Sequence, residues 1–303
     1  MTAGGATGVA GVDLGKTSCR VVVRDANGER VGEAVGAPGL ASPDGVARAV
    51  DAVLAGLRAA AAGAGTLRAV GVGAAGALAA PDAAARLATE LAAACGAPVA
   101  VTSDATVAHA GAFAGRPGTV VAVGTGTVLV ELDRSGDLRT LDGWGPWLGD
   151  DGSGTWLGRA GLRAVLRAHE GRGEPTALTD RAGAWGGPPD ALPARVAGAD
   201  APARTLASFA PHVLAAASQG DGVARTIVAE AVRAVADACS HATAPYAPVG
   251  GIATAEPFAS ALRAVLGPGS VVVPESAPPH GGLLLAADPT TPYERTVSRR
   301  DPV

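Results

Sequence analysis

Two stretches of the sequence carry the same arrangement, in which a strand, a glycine-rich turn and two further strands follow one another. The first runs from "GVAGVDLG" through "SCRVVVRDANGERVGEAVG", and the second is "GTVVAVGTGTVLVELDRSGDLRTL". Asn27-Gly28 and Ser135-Gly136 are typical of tight turns between antiparallel strands. Each meander continues into alternating strand and helix patterns. The sequence therefore predicts two α/β units with approximately the same topology.

The pattern along each unit can be followed further. Residues 8–104 are expected to run β-β-β-α-β-α-β, with "SPDGVARAVDAVLAGLRAAAAG" and "PDAAARLATELAAACG" as helices and "LRAVGVGAAG" and "PVAVTSD" as the later strands. Residues 154–245 have a mostly helical pattern. "APVGGIA" and "SVVVPE" are expected strands, "EPFASALRAVLG" is an expected helix, and a last helix starts in "HGGLLLAAD". The tail "TTPYERTVSRRDPV" has no periodicity and is expected to be frayed.

Composition excludes several classes of protein. Hydrophobic residues make up 48% of the 303 residues, charged residues make up 17%, and the net charge is −4 without a basic block. These values favour a folded protein of two domains and argue against nucleic acid or an anionic membrane as the main partner. The N-terminus lacks the features of a signal peptide, and no strongly apolar run is long enough to span a membrane.

The cysteines are few and far apart. Cys19, Cys95 and Cys239 form no CxxC pair, so neither a zinc knuckle nor an iron–sulfur cluster is indicated. A sparse, odd number of cysteines fits a reducing compartment. We therefore expect a soluble, cytoplasmic protein.

The first glycine-rich turn follows an acidic residue at the end of a strand. In "GVDLGKTS", Asp13 precedes Gly15, Lys16 and Thr17. Backbone N–H groups of such a turn can form an anion-binding concavity, Lys16 adds positive charge, and an aspartate beside it can hold Mg²⁺ directly or through water. The motif is not a Walker A loop, because Ala10 stands where that loop needs glycine. The turn is a candidate phosphate site, with an ordinary polar hairpin as the alternative.

A second acidic residue ends the strand "VAVTSD". Asp104 is expected at the carboxyl end of a strand, which is the edge where open α/β sheets bind ligands. Its carboxylate could act as a general base toward a hydroxyl group. The alternative is a helix N-cap, a common position for aspartate, and Ser103-Asp104 suits either use.

The second unit contains two further glycine-rich turns that are candidates for ligand binding. Gly124-Thr125-Gly126-Thr127 occupies the position in the second meander that Gly15–Thr17 occupies in the first. Gly250-Gly251 follows a buried strand, and two glycines there allow a flat ring to approach the backbone closely. Each motif taken alone is also compatible with a plain turn.

The segment "GWGPWLGDDGSG" at residues 143–154 holds two of the four tryptophans and two adjacent aspartates on a glycine-rich loop. Carboxylates accept hydrogen bonds from vicinal hydroxyls, apolar rings pack on C–H faces, and glycines let the backbone come close. A sugar site would use all three properties. The alternative is a structural tryptophan cluster that caps the following helix, although paired aspartates on an apolar loop are costly without donors.

These four elements, in this order, resemble the sugar-kinase, actin and heat-shock-ATPase superfamily. The tryptophan-rich segment looks like the "GGWG…GDEGS" segment of N-acetylglucosamine kinases in the BadF/BadG/BcrA/BcrD-type ATPase family. The resemblance covers roughly residues 8–287. It implies an α/β fold of two ribonuclease H-like, actin-type domains, each a mixed five-stranded sheet flanked by helices, with a cleft between them.

The same resemblance gives the expected domain boundaries. The N-terminal domain is expected at residues 1–115 and the C-terminal domain at residues 116–287. The helical insertion spans residues 154–245. The tail, residues 288–303, could pack back on the first domain.

The resemblance also implies roles for individual residues and names ATP and Mg²⁺ as cofactors. Asp13 supports Mg²⁺, directly or through water, and Asp104 is the catalytic base. The residues implied in binding ATP are Asp13, Gly15, Lys16, Thr17, Gly124, Thr125, Gly126, Thr127, Gly250 and Gly251. The residues implied in binding the sugar are Asp104, Thr125, Gly126, Trp144, Gly149, Asp150 and Asp151.

Several positions depart from the family pattern. Val128 stands where relatives that use N-acetylglucosamine often carry asparagine, and "GAPGLASPDG" lacks a second expected asparagine. Asp151 is a shorter acid than the one usual in the family, and Lys16 replaces a common glycine. Glucosamine, another hexose or a sugar-like cyclitol therefore stay open as substrates beside N-acetylglucosamine.

The expected function is an ATP-dependent kinase that phosphorylates a hydroxyl of an amino sugar or related hexose. No nucleic-acid or membrane partner is expected, and residues 154–245 could supply a homodimer face by analogy with the fold. One alternative is a dehydratase-activator ATPase, which the scattered cysteines disfavour; the repressor and kinase group with a Cys-rich zinc segment is disfavoured for a similar reason. The other is a non-catalytic, actin-like nucleotide-binding module, which has no need of a hydroxyl-binding loop.

Overall fold

The structure, a computed structural model, describes residues 8–60 and 66–302. It divides into two compact units. The first unit comprises the described residues up to Pro117, Leu132–Leu138, and the described residues from Val273 onward; the second comprises Gly118–Glu131 and Arg139–Val272. Among the described helices, none is both long and apolar enough to cross a membrane.

The secondary structure alternates as the sequence predicts over most of the chain. The strands are β1 (Gly8–Leu14), β2 (Ser18–Asp25), β3 (Gly28–Val35), β4 (Leu67–Ala74), β5 (Val99–Thr102), β6 (Gly118–Val123), β7 (Thr127–Leu132), β8 (Leu138–Asp142), β9 (Tyr246–Val249) and β10 (Ser298–Arg300). The helices are α1 (Gly45–Ala60), α2 (Pro81–Cys95), α3 (Asp104–Phe113), α4 (Gly154–His169), α5 (Leu178–Gly186), α6 (Leu192–Ala197), α7 (Pro202–Ala207), α8 (Ala210–Ser218), α9 (Gly222–Ser240), α10 (Phe258–Leu266) and α11 (Pro278–Ala287).

Local signals explain where these elements begin and end. The β2–β3 hairpin turns at Asn27-Gly28, and Gly28 has a φ of 118° that favours glycine. Helix α2 begins at a proline and ends before Gly96, which has the left-handed conformation of a helix C-cap. Ser103 and Asp221 accept hydrogen bonds from backbone N–H groups as the N-caps of α3 and α9.

The first sheet has six strands in the order β10-β5-β4-β1-β2-β3. Strands β1, β4 and β5 are parallel, and β2, β3 and β10 pair antiparallel with their neighbours. Helices α1 and α2 pack on the sheet and on each other, as do α3 and α11. The carboxyl ends of β1, β4 and β5 therefore meet at one edge of the sheet.

Side chains alternate between the two faces of β1 and β4. Val12 and Val72 belong to the apolar core that also contains α1 and α2. Because successive residues of a strand point to opposite faces, Gly11 and Gly71 lie on the other face, where the backbone of α11 contacts them. Asp13, two residues after Gly11, lies on the same face of β1.

Glycine allows α11 to approach this face unusually closely. A β-carbon at Gly282 would lie 2.6 Å from the carbonyl oxygen of Gly71 and 2.8 Å from the backbone nitrogen of Val12. Gly281 makes a similar backbone contact with α3 at Val107 and Gly111. The structure thus assigns α11 to the first unit, whereas the sequence-based boundary at residue 287 placed it in the second domain.

The second sheet has four strands in the order β8-β7-β6-β9, with β6 and β9 parallel. Its core continues into the helices of residues 154–266, where Leu157, Phe209, Val213 and Leu262 are among the buried side chains. The helical interpretation of residues 154–245 agrees with these elements.

Three expectations about strands were wrong. The sheets have six and four strands rather than five each. "SVVVPE" forms an isolated bridge, between Val271 and Tyr246, so among the described residues the second sheet lacks the expected fifth strand. The tail is ordered rather than frayed, because Ser298–Arg300 pairs with β5 and the side chain of Tyr293 is fully buried.

Because α11 contacts the sheet so closely, we expect a single added methyl group to lower the stability of the fold. In Gly282→Ala, the new methyl group would collide with the backbone of β1 and β4, which cannot move aside as a flexible side chain could. We expect a loss of about 1–3 kcal/mol in the free energy of unfolding, as for other overpacked sites, measured by urea denaturation.

The matched control is Gly183→Ala on α5, where a β-carbon meets nothing within 4 Å. This variant should gain about 0.5–1 kcal/mol, because alanine loses less conformational entropy in a helix than glycine. Equal stability of the two variants would contradict the close contact at Gly282.

Candidate functional site

Asp13 lies near the carboxyl end of β1, and its side chain is buried. The hairpin register places Arg20 of β2 directly opposite, and its Nη2 donates a hydrogen bond of 2.6 Å to Asp13 Oδ2. Burial raises the pKa of Asp13, while the charge and hydrogen bond of Arg20 oppose that shift. The site therefore contains a buried carboxylate with one half-exposed guanidinium as its partner.

The turn after Asp13 is held by backbone hydrogen bonds on both sides. Gly15 N–H donates to the carbonyl of Ser18 at 3.0 Å, and Ala37 N–H donates to the carbonyl of Gly15 at 3.2 Å. Gly36 N–H donates to the carbonyl of Thr17 at 3.1 Å. The turn is thus fixed in place, and the Gly15 N–H is already used in closing it.

Asp104 is the first residue of α3, directly after the end of β5. Ser103 accepts the hydrogen bond from Thr106 N–H at 3.0 Å and is the N-cap, so the alternative that Asp104 caps the helix was wrong. Asp104 Oδ1 accepts a hydrogen bond from Ala105 N–H at 2.9 Å. A β-carbon at Gly73 of β4 would lie 3.0 Å from Asp104 Cα, so this glycine lets α3 sit directly on the sheet.

The electrostatic environment of Asp104 suits a proton acceptor near neutral pH. Burial raises the pKa of Asp104 to about 6, and the negative charge of Asp13 acts in the same direction. The hydrogen bond from Ala105 and the charge of Lys16 oppose this shift. Asp13, Lys16 and Asp104 therefore interact electrostatically at one edge of the first sheet.

The hairpin at residues 124–127 is fixed by the beginning of α4. Gly124 N–H donates to the carbonyl of Gly126 at 2.9 Å and closes the turn. Gly154 N–H donates to the carbonyl of Gly124 at 2.8 Å, and the Thr155 hydroxyl donates to the carbonyl of Thr125 at 2.7 Å. The helix therefore starts where its free N–H groups bind the hairpin.

Asp150 and Gly250 lie against the same hairpin. A β-carbon at Gly126 would lie 2.6 Å from Asp150 Oδ2, and one at Gly250 would lie 2.5 Å from the carbonyl oxygen of Val123. Asp150 is buried and has a φ of 56°, in the left-handed region that aspartate tolerates better than most residues. Gly251 is exposed, with open space around its α-carbon.

The loop between β8 and α4 is closed by a residue that the sequence did not single out. Asp142 Oδ1 accepts hydrogen bonds from the N–H groups of Gly143 and Asp150, at 2.7 and 2.8 Å, and Oδ2 accepts one from Asp151 at 2.9 Å. The Asp142 carboxylate thus joins the first residue of the loop, Gly143, to Asp150 and Asp151 further along it. A β-carbon at Gly149 would collide with it as well.

Other predicted residues of this loop have different environments. The Trp144 and Trp147 side chains are 78% and 69% exposed, and Asp151 is also exposed. This exposure argues against the alternative of a structural tryptophan cluster under α4. The Thr127 side chain is buried, and its hydroxyl has no hydrogen-bond partner within residues 8–60 and 66–302.

The predicted residues therefore form two groups, one in each unit. The first unit brings together Asp13, Gly15, Lys16, Thr17 and Asp104. The second unit brings together the 124–127 hairpin, Gly250-Gly251 and the loop that carries Trp144, Gly149, Asp150 and Asp151. Within the described part of the chain, no cluster of three or more His, Cys, Asp or Glu side chains could by itself hold a metal ion.

Most of the sequence, across both units, matches a known family. Residues 10–286 match the family model described as the BadF/BadG/BcrA/BcrD ATPase family. The chain belongs to this family. The resemblance inferred from the tryptophan-rich segment and the glycine turns is therefore confirmed, and membership in an ATPase family implies that the chain binds ATP.

Solved structures show the same fold. A candidate N-acetylglucosamine kinase from Chromobacterium violaceum is 30% identical, with a TM-score of 0.76, over 92% of this chain and 98% of that one. A second candidate N-acetylglucosamine kinase, from Porphyromonas gingivalis, is 18% identical with a TM-score of 0.68, over 91% and 97% of the two chains. A comparison with curated proteins found no match.

A more distant structure supports the fold class. The ROK family glucokinase from Streptomyces griseus, in complex with glucose and AMPPNP, is 21% identical with a TM-score of 0.58, over 93% of this chain and 98% of that one. The prediction of two mixed sheets flanked by helices in a sugar-kinase-type ATPase is confirmed. The likeness at this identity concerns the fold alone.

Two site residues of this family member were missed by sequence reasoning. Arg20 could have been found from the hairpin register, because seven residues separate it from Asp13 across the turn. Asp142 carries no comparable signal, since its partners are backbone N–H groups eight and nine residues away. A left-handed aspartate just before a glycine-rich loop is recognisable only in the structure.

The role of Asp142 can be tested by hydrogen exchange. Asp142→Gly keeps the left-handed backbone accessible but removes all three acceptor contacts. Hydrogen bonds to a charged group contribute about 1.5–3 kcal/mol each, so exchange of residues 143–151 should accelerate by about tenfold or more. Asp142→Asn, which keeps one acceptor oxygen, should give an intermediate rate by mass spectrometry.

The matched control for this experiment is Asp133→Gly. Asp133 closes another turn by accepting hydrogen bonds from Ser135 and Asp137 N–H groups. Its replacement should leave exchange of residues 143–151 unchanged. Wild-type exchange in Asp142→Gly would show that the carboxylate does not hold the loop.

The raised pKa of Asp104 predicts that its charge destabilises the fold. In the unfolded chain an aspartate has a pKa of about 3.9, and in the fold burial raises the pKa of Asp104 to about 6. The ionised form is therefore disfavoured in the fold, and stability from this group is present below about pH 4 and lost as the pH rises through about 6.

Asp104→Asn should accordingly be more stable than the wild type at pH 8. The gain should approach about 3 kcal/mol, the equivalent of two pKa units, and should vanish as the pH falls toward about 4. Urea denaturation across this pH range measures the difference. A gain that stays constant with pH, or a loss at pH 8, would refute the pKa shift.

Proposed function

We propose that the protein is an ATP-dependent kinase that transfers a phosphoryl group to a hydroxyl of an amino sugar or a related hexose. The observation that carries this proposal is Asp104. It lies just after the end of a parallel strand, Ser103 has taken over the capping of its helix, and burial raises its pKa to about 6. A partly buried carboxylate with these properties suits a general base.

Asp104 would accept the proton of the attacking hydroxyl. At pH 7 most of the carboxylate is ionised, yet its raised pKa makes it a better proton acceptor than an exposed aspartate. A positioned base of this kind contributes about 10²–10⁴ in rate. Phosphoryl transfer otherwise depends mainly on positioning and charge stabilisation, which suits glycine turns that are fixed by hydrogen bonds.

The turn formed by Gly15, Lys16 and Thr17 is proposed to bind phosphates of ATP, and the hairpin at residues 124–127 is proposed as the phosphate-binding element of the second unit. Lys16 supplies positive charge close enough to affect the pKa of Asp104. The hairpin is tied to the start of α4, where the helix dipole favours negative charge. Gly250 and Gly251 are proposed to lie under the adenosine, because both are exposed and Gly251 has open space around its α-carbon.

The residues fit a magnesium ion that accompanies the nucleotide. Mg²⁺ in nucleotide sites is commonly held by one or two carboxylates and by the phosphates themselves, so a single buried aspartate is sufficient. Asp13 would hold the ion, directly or through water, with Arg20 as its neighbour. When bound, Mg²⁺ supplies charge neutralisation on the phosphates.

The sugar is proposed to bind at the loop that Asp142 closes. Asp150 faces Gly126, and Trp144 and Asp151 are exposed on the same loop. Carboxylates and an indole ring suit hydroxyls and C–H faces respectively. The 30% identical structure from C. violaceum, a candidate N-acetylglucosamine kinase, supports an amino sugar. Val128, where relatives often carry asparagine, favours testing glucosamine and other hexoses beside N-acetylglucosamine.

We also propose a cytoplasmic location. The three cysteines are free, and burial raises the pKa of Cys19 and Cys239 to about 12, so these thiols are unreactive. A cytoplasmic location would supply ATP to the enzyme.

The proposal is tested by ATP turnover across a panel of sugars. With N-acetylglucosamine, glucosamine, N-acetylmannosamine and glucose, one sugar should stimulate ADP formation, and kcat/KM should fall as the pH drops through about 6, because Asp104 is then protonated. Asp104→Asn should lower kcat by about 10²–10⁴ while still binding ATP.

The control variant is Asp82→Asn, which removes a first-turn carboxylate from α2 instead of α3. It should keep wild-type turnover and the same pH profile. ATP binding without turnover stimulated by any sugar would instead favour a non-catalytic nucleotide-binding module. Turnover of Asp104→Asn within a few-fold of the wild type would exclude Asp104 as the base.

A further inference from the structure

Helices α4 and α9 of the second unit enclose a groove that the proposed reaction does not use. Its volume is about 410 Å³, within the range of small-ligand sites. Trp156 and three arginines of α4 line one wall, and Glu230 stands on the α9 wall. Alanine, valine and isoleucine side chains from both helices complete the apolar lining.

The three arginines form a single stripe. Arg159, Arg163 and Arg167 are spaced four residues apart, so they lie on one face of α4 and span about 12 Å. Like charges at this spacing repel each other. The Arg163 and Arg167 side chains are exposed, and their guanidiniums make no hydrogen bond or ion pair with any other described residue. The fold therefore concentrates positive charge here without supplying counter-charges for these two guanidiniums.

We infer that this groove binds a phosphate ester of a small hydroxylated ring. Arginine guanidiniums bind phosphate oxygens through paired hydrogen bonds, and two of them on successive turns can hold one phosphate group. The apolar lining and the partly exposed indole of Trp156 suit the face of a ring. Glu230 can accept hydrogen bonds from ring hydroxyls. Sugar phosphates and nucleotides share this chemistry.

One contact links the groove to the loop at residues 143–149. Arg159 Nη1 donates a hydrogen bond of 3.0 Å to the carbonyl oxygen of Pro146 in that loop. A phosphate that also contacts Arg159 would share its guanidinium with this carbonyl. Binding in the groove would then be coupled to the loop, and the coupling would be reciprocal for any ligand that the loop itself binds.

The binding step is tested by mapping arginine reactivity. Phenylglyoxal modifies accessible arginines, and mass spectrometry resolves each position. Glucosamine 6-phosphate, ADP and inorganic phosphate are added separately to the full-length protein. A ligand that binds the groove, added at a concentration about ten times its dissociation constant, should slow modification of Arg163 and Arg167 about tenfold by mass action. Arg263, an exposed arginine of α10, serves as the internal control.

The three probes distinguish the ligand sources. Protection by glucosamine 6-phosphate identifies a sugar phosphate, and protection by ADP identifies a nucleotide. ADP that protects Arg20 but not Arg163 or Arg167 binds only at the proposed ATP site, and this result counts against the groove. Equal protection by inorganic phosphate overturns the requirement for a ring. Arginines that are unreactive before any probe is added show that another chain covers the groove, which also overturns the proposal.

A variant separates this site from the proposed kinase site. Arg163→Gln with Arg167→Gln should weaken binding of the protecting probe at least about tenfold in calorimetry, the loss of a shared charged contact. The unfolding midpoint should not fall, because both side chains are exposed and their removal relieves the repulsion between like charges. Arg263→Gln should bind the probe like the wild type. Unchanged binding in the double variant would refute the groove, whether or not the protein phosphorylates a sugar.

Discussion

The place of Asp104 depends on how closely helices can approach the first sheet. A β-carbon at Gly73 would lie 2.7 Å from Val107 Cβ and 3.0 Å from Asp104 Cα, so α3 can sit on β4 only because this residue is glycine. Gly281 of α11 lets that helix contact the backbone of α3 at Val107 and Gly111. Glycine in a strand or helix costs stability in its own right. Here it lets two helices pack at backbone distance, which brings Asp104 to the sheet edge where Asp13 lies, near the carboxyl end of β1.

Much of this arrangement could be predicted from local sequence patterns. The alternation of "VAGVD" and of "LRAVGVGA" predicts strands, and the glycines of these strands mark the face that α3 and α11 cover. Asp13 and Asp104 were found because each stands at the carboxyl end of a short apolar strand, and the carboxyl ends of parallel strands share one edge. The ordered turn motifs and the tryptophan-rich segment gave the family resemblance, since turn chemistry at equivalent positions is a local property that survives at low identity.

The features that sequence reasoning missed are contacts between distant parts of the chain. The tail pairs with β5 some 200 residues away, and the signal for an edge strand in "SRR" is weak because such strands are short and charged. "SVVVPE" has an ideal strand composition, yet apart from the bridge between Val271 and Tyr246 no described strand pairs with it. Asp142 accepts hydrogen bonds from three backbone N–H groups, and two of them, those of Asp150 and Asp151, lie eight and nine residues further along the loop, so its role depends mainly on the closed loop.

The carboxylates of this protein divide by what surrounds them. Asp133 accepts hydrogen bonds from Ser135 and from backbone N–H groups, and these lower its pKa. Asp221 caps α9 and also binds Thr176, so its charge is satisfied by several donors. Asp104 begins a helix, a position that ordinarily stabilises a carboxylate, yet burial and the charge of Asp13 raise its pKa. Ser103 alone is sufficient to cap the N-terminus of α3, so the helix does not require Asp104. The carboxylate beside it costs stability without contributing to the cap, and such a cost is expected where a side chain is kept for chemistry.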